Sequence, residues 1–127
     1  MLRQDHGMQR RVLVVDDDAA FRELASELVR GAGLRVAGAA GTFAAGAAAA
    51  EELRPDAALV DVGLPDGDGL ELARRIAALP WSPRVVITSS DADAVTDDAA
   101  RGLGAVGFLP KTELANGSLR ELLTGVP

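Results

Sequence analysis

Five polar side chains lie at the ends of short apolar runs or directly after them. Together they have the chemistry to bind and transfer a phosphoryl group. These residues are Asp16, Asp17, Asp61, Thr88 and Lys111. Carboxylates gathered in one place repel each other, at a cost of roughly 4 kcal/mol for a pair about 4 Å apart at an effective dielectric of about 20. Such a cluster calls for a cation, and all-oxygen ligands favour Mg²⁺ over softer metals. A carboxylate beside Mg²⁺ can attack a phosphoryl group and form an aspartyl phosphate, while an ammonium and a hydroxyl contact other phosphoryl oxygens.

The apolar runs place these side chains at the ends of strands. The runs are too short for helices and suit strands that are buried on both faces. The predicted strands are Val12–Val15, Leu34–Ala40, Ala57–Asp61, Arg84–Thr88 and Ala105–Leu109. A Pro-Asp-Gly turn begins at Pro65, so the third strand must stop near Asp61.

Helical spacing and capping residues predict five helices between and after the strands. Asp18 is expected to cap the first helix, which carries an apolar face formed by Phe21, Leu24, Ala25, Leu28 and Val29. Thr42 caps a second, alanine-rich helix that runs through Leu53. The other helices are predicted over Leu70–Leu79, Asp91–Arg101 and Asn116–Leu123, and the middle one of these three is polar.

This alternation of strands and helices predicts one α/β domain. Its fold class is a doubly wound, five-stranded parallel sheet with helices on both faces, joined by right-handed crossovers. In such sheets, ligands bind in the crevice outside the carboxyl ends of the strands. The candidate carboxylates, hydroxyl and lysine should therefore meet at one edge of the sheet, although they are far apart in sequence.

Length and composition exclude several other classes of protein. A chain of 127 residues fits a single domain over residues 11–127, after a polar tail over residues 1–10 that we expect to be flexible. There is no cysteine, so disulfides and thiolate metal sites are excluded. The net charge of -6 argues against direct nucleic-acid binding. The sequence has no signal-like leader and no long apolar run, so we expect a cytoplasmic protein without a membrane anchor.

At the level of whole motifs, the chain resembles a response-regulator receiver domain from Arg11 to Leu123. The residues that carry the resemblance are Val-Leu-Val-Val-Asp-Asp-Asp, Leu-Val-Asp-Val-Gly-Leu-Pro-Asp-Gly-Asp-Gly, Ile-Thr-Ser and Gly-Phe-Leu-Pro-Lys. The resemblance implies a flavodoxin-like three-layer sandwich with strand order 2-1-3-4-5. It also implies that Asp61 is the phosphoacceptor and that Asp16 and Asp17 hold Mg²⁺, with the backbone carbonyl of Gly63.

The same resemblance implies roles for the remaining site residues and for the protein. Thr88 would be the phosphate-sensing hydroxyl, Lys111 the phosphate-contacting lysine and Phe108 the aromatic switch residue. The phosphoryl group would come from a sensor histidine kinase or a phosphotransfer protein, and the domain would catalyse only its own phosphorylation and dephosphorylation. The fourth helix, fifth strand and fifth helix would form the surface for a downstream protein or for a second copy. Because the chain ends just past its last helix, we expect no attached output domain.

Two alternatives to this reading use the same residues differently. Asp16 and Asp18 form the Asp-x-Asp of a haloacid-dehalogenase-like phosphatase, but that interpretation leaves Asp61 and its following turn unexplained. A second alternative is a receiver-like interaction module that has lost phosphorylation. The three readings differ in whether labile phosphate accumulates on Asp61, on Asp16 or on neither residue.

Overall fold

The computed structural model describes residues 10–126. Its strands in chain order are β1 (Arg11–Val15), β2 (Arg35–Ala40), β3 (Ala57–Asp61), β4 (Gly63–Leu64), β5 (Gly67–Asp68), β6 (Arg84–Ser89) and β7 (Gly107–Pro110). Five of them form one parallel sheet in the order β2-β1-β3-β6-β7, and β4 and β5 form a separate antiparallel pair. The predicted sheet and its order are therefore confirmed, with the small β4–β5 pair as an addition.

Within the described part of the chain, five α-helices cover the two faces of the sheet. They are α1 (Ala19–Gly31), α2 (Phe43–Leu53), α3 (Gly69–Ala77), α4 (Asp97–Gly102) and α5 (Ser118–Thr124), and a 3₁₀ turn spans Lys111–Glu113. Buried residues of α2, α3 and α4 share one core cluster, whereas those of α1 and α5 share the other. No helix among residues 10–126 is long and apolar enough to cross a membrane.

The central strands are apolar without interruption because both of their faces are covered. In β1, Leu13 and Val15 point into the cluster with α2 and α3, while Val12 and Val14 point into the cluster with α1 and α5. All four side chains are almost completely buried. Alternating side chains of one strand thus serve two cores, which is the pattern expected of a parallel sheet inside an α/β sandwich.

Side-chain caps fix the starts of the first two helices. Asp18 Oδ1 accepts a hydrogen bond from Ala20 N at 3.0 Å, and Thr42 Oγ1 accepts one from Ala45 N at 3.0 Å, as the sequence predicted. Asp66 adds a second cap to α2, since its Oδ1 accepts from Phe43 N at 2.6 Å. These backbone hydrogen bonds lower the pKa of Asp66 below its ordinary value. The Asp66 turn therefore ties the segment after β3 to the start of α2.

Two sequence predictions on the helices were wrong. Leu24, assigned to the apolar face of α1, is 51% exposed, and the inward positions are Ala25 and Val29. The helix predicted over Asp91–Arg101 is shorter, because α4 begins only at Asp97. In the preceding segment, Ser89 Oγ accepts from Asp91 N and Asp91 Oδ1 accepts from Asp93 N. Short polar side chains that bond nearby backbone in this way favour turns over helix.

The strand predicted over Ala105–Leu109 begins later, at Gly107. Ala105 N donates instead to Ala100 O at 3.1 Å, so this residue still belongs to the turn that follows α4. At the other end of the chain, the predicted flexible tail covers residues 1–10, of which residues 1–9 lie outside the described part. Arg10 is described, and its carbonyl accepts a hydrogen bond from Arg35 N at 2.9 Å.

Candidate functional site

The candidate site lies at the carboxyl edge of the parallel sheet. Asp16 directly follows β1, Asp61 is the last residue of β3, Thr88 is the last but one of β6, and Lys111 directly follows β7. Asp61 and Thr88 are paired in the register of neighbouring strands. The parallel topology alone brings these four side chains to one edge, since every strand of the sheet runs in the same direction.

Lys111 forms ion pairs with two buried carboxylates. Its Nζ lies 2.7 Å from Asp16 Oδ2 and 3.5 Å from Asp61 Oδ1. Asp16 is completely buried and Asp61 is only 6% exposed. Because buried charges need partners, the ammonium group offsets the repulsion between the two carboxylates.

The loop after β1 holds the Asp16 carboxylate in a fixed orientation. Asp16 Oδ1 accepts a hydrogen bond from Asp18 N at 2.9 Å. The backbone of Asp16 is anchored as well, because its N donates to Ala40 O at 3.0 Å and its carbonyl accepts from Arg22 Nη1 at 2.6 Å. One hydrogen bond therefore orients the Asp16 carboxylate, and two others hold the backbone that carries it.

Three carboxylates at this edge form a site that could hold a metal ion. Asp16, Asp17 and Asp61 each offer an oxygen, and these oxygens lie within 4.8 Å of one another. Asp17 is exposed, so the group opens toward solvent. Gly63 lies beside it, since a Cβ at that position would be 3.7 Å from Asp61 Oδ2. A set of oxygen donors with one open side fits a hard divalent cation that keeps several waters.

The two charged partners at the centre of the site have shifted pKa values. Burial raises the pKa of Asp61 above its ordinary 3.8, and the neighbouring Asp16 raises it further, while Lys111 offsets part of the effect. Burial alone would lower the pKa of Lys111, but the Asp16 and Asp61 carboxylates outweigh it and raise that pKa. Lys111 therefore stays protonated. The ionised form of Asp61 is destabilised by its burial and by the neighbouring Asp16 carboxylate.

The pKa shift of Asp61 makes a prediction for stability without metal. We expect Asp61→Asn to stabilise the fold at neutral pH, and this gain should shrink as the pH falls toward about 4. The folded state binds the Asp61 proton more tightly than the unfolded chain does, because the pKa is raised on folding. In the wild-type protein, the stability contributed by protonation of Asp61 is fully present below the pKa of the unfolded chain. It is lost as the pH rises through the higher pKa of the folded state.

Denaturant unfolding of both proteins across this pH range measures the difference. A gain that stays constant or grows as the solution becomes more acidic would contradict the raised pKa. Asp66→Asn serves as the matched control, because the pKa of Asp66 is lowered on folding and its pH response should have the opposite sign.

Thr88 carries a buried hydroxyl that has no hydrogen-bond partner among residues 10–126. The residue is 1% exposed, and Oγ1 is among the buried side-chain atoms without a partner. The backbone carbonyl of the same residue is paired, since Thr88 O accepts from Val62 N at 3.0 Å. An unpaired buried hydroxyl costs about 1–3 kcal/mol, so this group is available to a ligand at the Asp61 edge.

Phe108 lies on β7, next to β6. It is half-buried and packs against the core cluster shared by α2, α3 and α4. Its register partner is Ile87, whereas Thr88 pairs with Leu109. Phe108 N donates to Asp97 Oδ1 at 3.1 Å, which ties the strand to the first residue of α4.

The sequence did not single out Phe21 or Arg22 as parts of this site. Phe21 was assigned only to the apolar face of α1, yet the centroid of its ring lies 4.1 Å from Lys111 Nζ. Arg22 holds the carbonyl of Asp16. The available signal was their place in the first turn of the helix that directly follows Asp16 and Asp17.

The comparison with protein families agrees with the fold and with the motifs. The model of the family "Response regulator receiver domain" matches residues 12–124. The chain belongs to this family, the receiver domains of two-component signalling systems. Receiver domains interact with histidine kinases or phosphotransfer proteins and with downstream effectors.

Relatives and solved structures point the same way. "Transcriptional regulatory protein PdtaR" of Mycobacterium tuberculosis is 34% identical over 129 residues, covering 93% of this chain and 62% of the relative. A "Protein-glutamate methylesterase/protein-glutamine glutaminase 2" of Anaeromyxobacter dehalogenans is 40% identical over 102 residues, covering 80% of this chain and 30% of the relative. The chain thus spans less than two-thirds of the length of these relatives.

Two solved receiver domains have the same fold. The signal receiver domain of the putative response regulator NarL from Mycobacterium tuberculosis matches with a TM-score of 0.76 and 30% identity, covering 90% of this chain and 96% of that one. The response regulator domain of Thermotoga maritima CheB matches with a TM-score of 0.78 and 26% identity, covering 94% and 98%. These matches extend over nearly the whole sheet and its helices.

Proposed function

We propose that this receiver domain accepts a phosphoryl group on Asp61 in a Mg²⁺-dependent reaction. The observation that carries the proposal is the place of the Asp61 carboxylate, which belongs both to a three-carboxylate cluster and to the ion pair with Lys111. Asp16 and Asp17 would hold the metal together with Asp61 and the carbonyl of Gly63. The bound metal would offset negative charge on the phosphoryl oxygens.

The chain's own groups supply the rest of the chemistry. A carboxylate oxygen of Asp61 attacks phosphorus, and the bond from phosphorus to the donor nitrogen breaks. The electron pair and a proton go to the imidazole of a sensor histidine kinase or of a phosphotransfer protein. Lys111 and the free hydroxyl of Thr88 contact phosphoryl oxygens. In this proposal the domain catalyses only its own phosphorylation and dephosphorylation. In the second of these steps, water attacks the phosphorus of the aspartyl phosphate, the bond from phosphorus to the Asp61 oxygen breaks, and inorganic phosphate and the Asp61 carboxylate are released.

Locating the phosphate tests this proposal. The protein is incubated with Mg²⁺ and a small acyl phosphate, reduced with borohydride and digested, and the modified residue is found by mass spectrometry. We expect the label on Asp61. A label on Asp16 would instead indicate the aspartyl chemistry of a haloacid-dehalogenase-like phosphatase. Absence of label at all carboxylates would indicate an interaction module that does not use phosphorylation.

Mg²⁺ should stabilise the folded protein. A ligand that binds only the native state at about 100 times its Kd raises the free energy of unfolding by about 2.7 kcal/mol. Asp17→Asn should reduce this effect, because it removes an exposed member of the three-carboxylate cluster. Thermal unfolding with and without millimolar Mg²⁺ measures the difference.

Glu52→Gln is the matched control for this experiment. It removes the same charge from an exposed residue near the end of α2, away from the three-carboxylate cluster. The control should retain the full response to Mg²⁺. A melting temperature that does not respond to Mg²⁺ in the wild-type protein would count against the metal site.

We infer that phosphorylation acts through Thr88, α4 and Phe108. A phosphoryl group on Asp61 would draw the unpaired hydroxyl of Thr88 toward it and shift the turn that follows β6. That turn leads into α4, which is linked to Phe108 through Asp97. Since Phe108 has no hydroxyl, its part in the switch is steric. The surface of α4, β7 and α5 would then bind a downstream protein or a second copy of the chain.

Thr88→Val should separate phosphorylation from this response. Asp61 should still accept phosphate, but hydrogen exchange over residues 91–109 should no longer change when a phosphoryl mimic is added. The variant should also gain about 1 kcal/mol of stability, because it removes an unpaired buried hydroxyl and keeps the shape of the side chain. A full exchange response in Thr88→Val would refute the role of this hydroxyl.

A further inference from the structure

Lys111 has a third neighbour besides its two carboxylates. Its Nζ lies 4.1 Å from the centroid of the Phe21 ring, on the face of the ring. The ammonium is thus enclosed by Asp16 Oδ2 at 2.7 Å, Asp61 Oδ1 at 3.5 Å and an aromatic face. The face of an aromatic ring carries partial negative charge and attracts a cation at this distance.

The local backbone fixes the ring relative to the carboxylate. Asp18 N donates to Asp16 Oδ1, and Asp18 Oδ1 in turn accepts from Phe21 N at 3.4 Å. The rest of the Phe21 side chain packs against the core cluster that includes α1 and α5. One capping residue therefore connects the Asp16 carboxylate to the aromatic ring that contacts the lysine.

We propose that Phe21 is a positioning residue that keeps the Lys111 ammonium at the Asp61 edge while the carboxylates change partners. This inference rests on the proposed phosphorylation of Asp61. A cation held by the carboxylate cluster competes with Lys111 for Asp16 and Asp61, because both are members of that cluster. The aromatic ring has no oxygen that could bind such a cation, so the cation does not compete for it. Its contact with the ammonium therefore survives the exchange and holds the lysine ready for a phosphoryl oxygen.

A purely structural role for Phe21 makes a different prediction. If the ring only fills space beside the core, leucine should position Lys111 as well as phenylalanine does. If the aromatic face matters, Phe21→Leu should release the ammonium and Phe21→Tyr should retain it. Phe43→Leu is the matched control, since the Phe43 ring faces Arg75 at 5.4 Å rather than the lysine.

Because Lys111 is the only lysine in the chain, isotope-labelled lysine reports on this contact without overlap. We expect the ε-CH₂ protons of Lys111 to resonate upfield owing to the ring current of Phe21, both without metal and with Mg²⁺. The upfield shift should persist in Phe21→Tyr and Phe43→Leu, and its disappearance in Phe21→Leu would assign it to the Phe21 ring under either role. Loss of the upfield shift from the wild-type protein on addition of Mg²⁺ would overturn the proposal, whether or not Asp61 is phosphorylated.

The rate of phosphorylation by a small acyl phosphate supplies the second measurement. Phe21→Leu should slow labelling of Asp61 by roughly five-fold, as expected for the loss of a partly buried cation–π contact. Phe21→Tyr should restore the rate, and Phe43→Leu should leave it unchanged. Wild-type rates in Phe21→Leu, with Asp61 still labelled, would overturn the positioning role but leave the proposed function intact. If the wild-type protein itself took up no phosphate on Asp61, the proposed function would be wrong.

Discussion

Asp61→Asn is expected to abolish phosphate incorporation while raising the stability of the metal-free protein. The amide has no nucleophilic carboxylate oxygen, so no acyl phosphate can form. The same change removes a buried charge whose pKa is raised by burial and by Asp16, and the fold no longer has to hold that charge. Loss of activity through unfolding would lower stability, so the two readouts together identify a chemical effect.

Radiolabel or mass-spectrometric detection of phosphate, combined with denaturant unfolding, measures both effects. Asp66→Asn is the matched control, because Asp66 is an exposed carboxylate whose role is to cap α2. Its label should match that of the wild-type protein. Phosphate that still accumulates in Asp61→Asn would show that the acceptor is a different residue.

Among alanine substitutions at the glycines of residues 10–126, Gly69→Ala is expected to cause the largest loss of stability. A Cβ at Gly69 would overlap with Asp61 O and would lie 2.7 Å from Val62 O, and both are backbone atoms. Relief of this overlap requires α3 to move away from the end of β3. We expect a cost of about 3 kcal/mol, at the upper end for overpacking, since no flexible side chain can yield.

Gly31→Ala is the control for this prediction. Gly31 is the last residue of α1, and an added Cβ would have no heavy atom within 4 Å. Alanine is favoured over glycine in helices, so this change should be neutral or stabilise by about 0.5–1 kcal/mol. Denaturant midpoints at constant m-value give both numbers. Equal stabilities of the two variants would show that α3 does not approach β3 this closely.

The sequence by itself determined the class of fold and the residues at the edge of the sheet. Uninterrupted apolar strands such as Ala57–Val60 specify burial on both faces, and their alternation with helices specifies a parallel sheet. Once all strands run in one direction, the residues that follow them must share one edge. Asp16 and Lys111, 95 positions apart in sequence, could therefore be placed together without coordinates.

Only the tertiary structure decided which contacts these residues make. Leu24 matched the helical period of α1 but is exposed, because the inward direction depends on how the helix lies on the sheet. Asp91 belonged to a helical pattern, yet its side chain bonds the local backbone and α4 starts later. Two further features depend on distances between separate elements. They are the lack of a partner for the Thr88 hydroxyl and the contact between the Phe21 ring and Lys111. Periodicity carries no such distances, because it describes each element alone and not how two elements are packed.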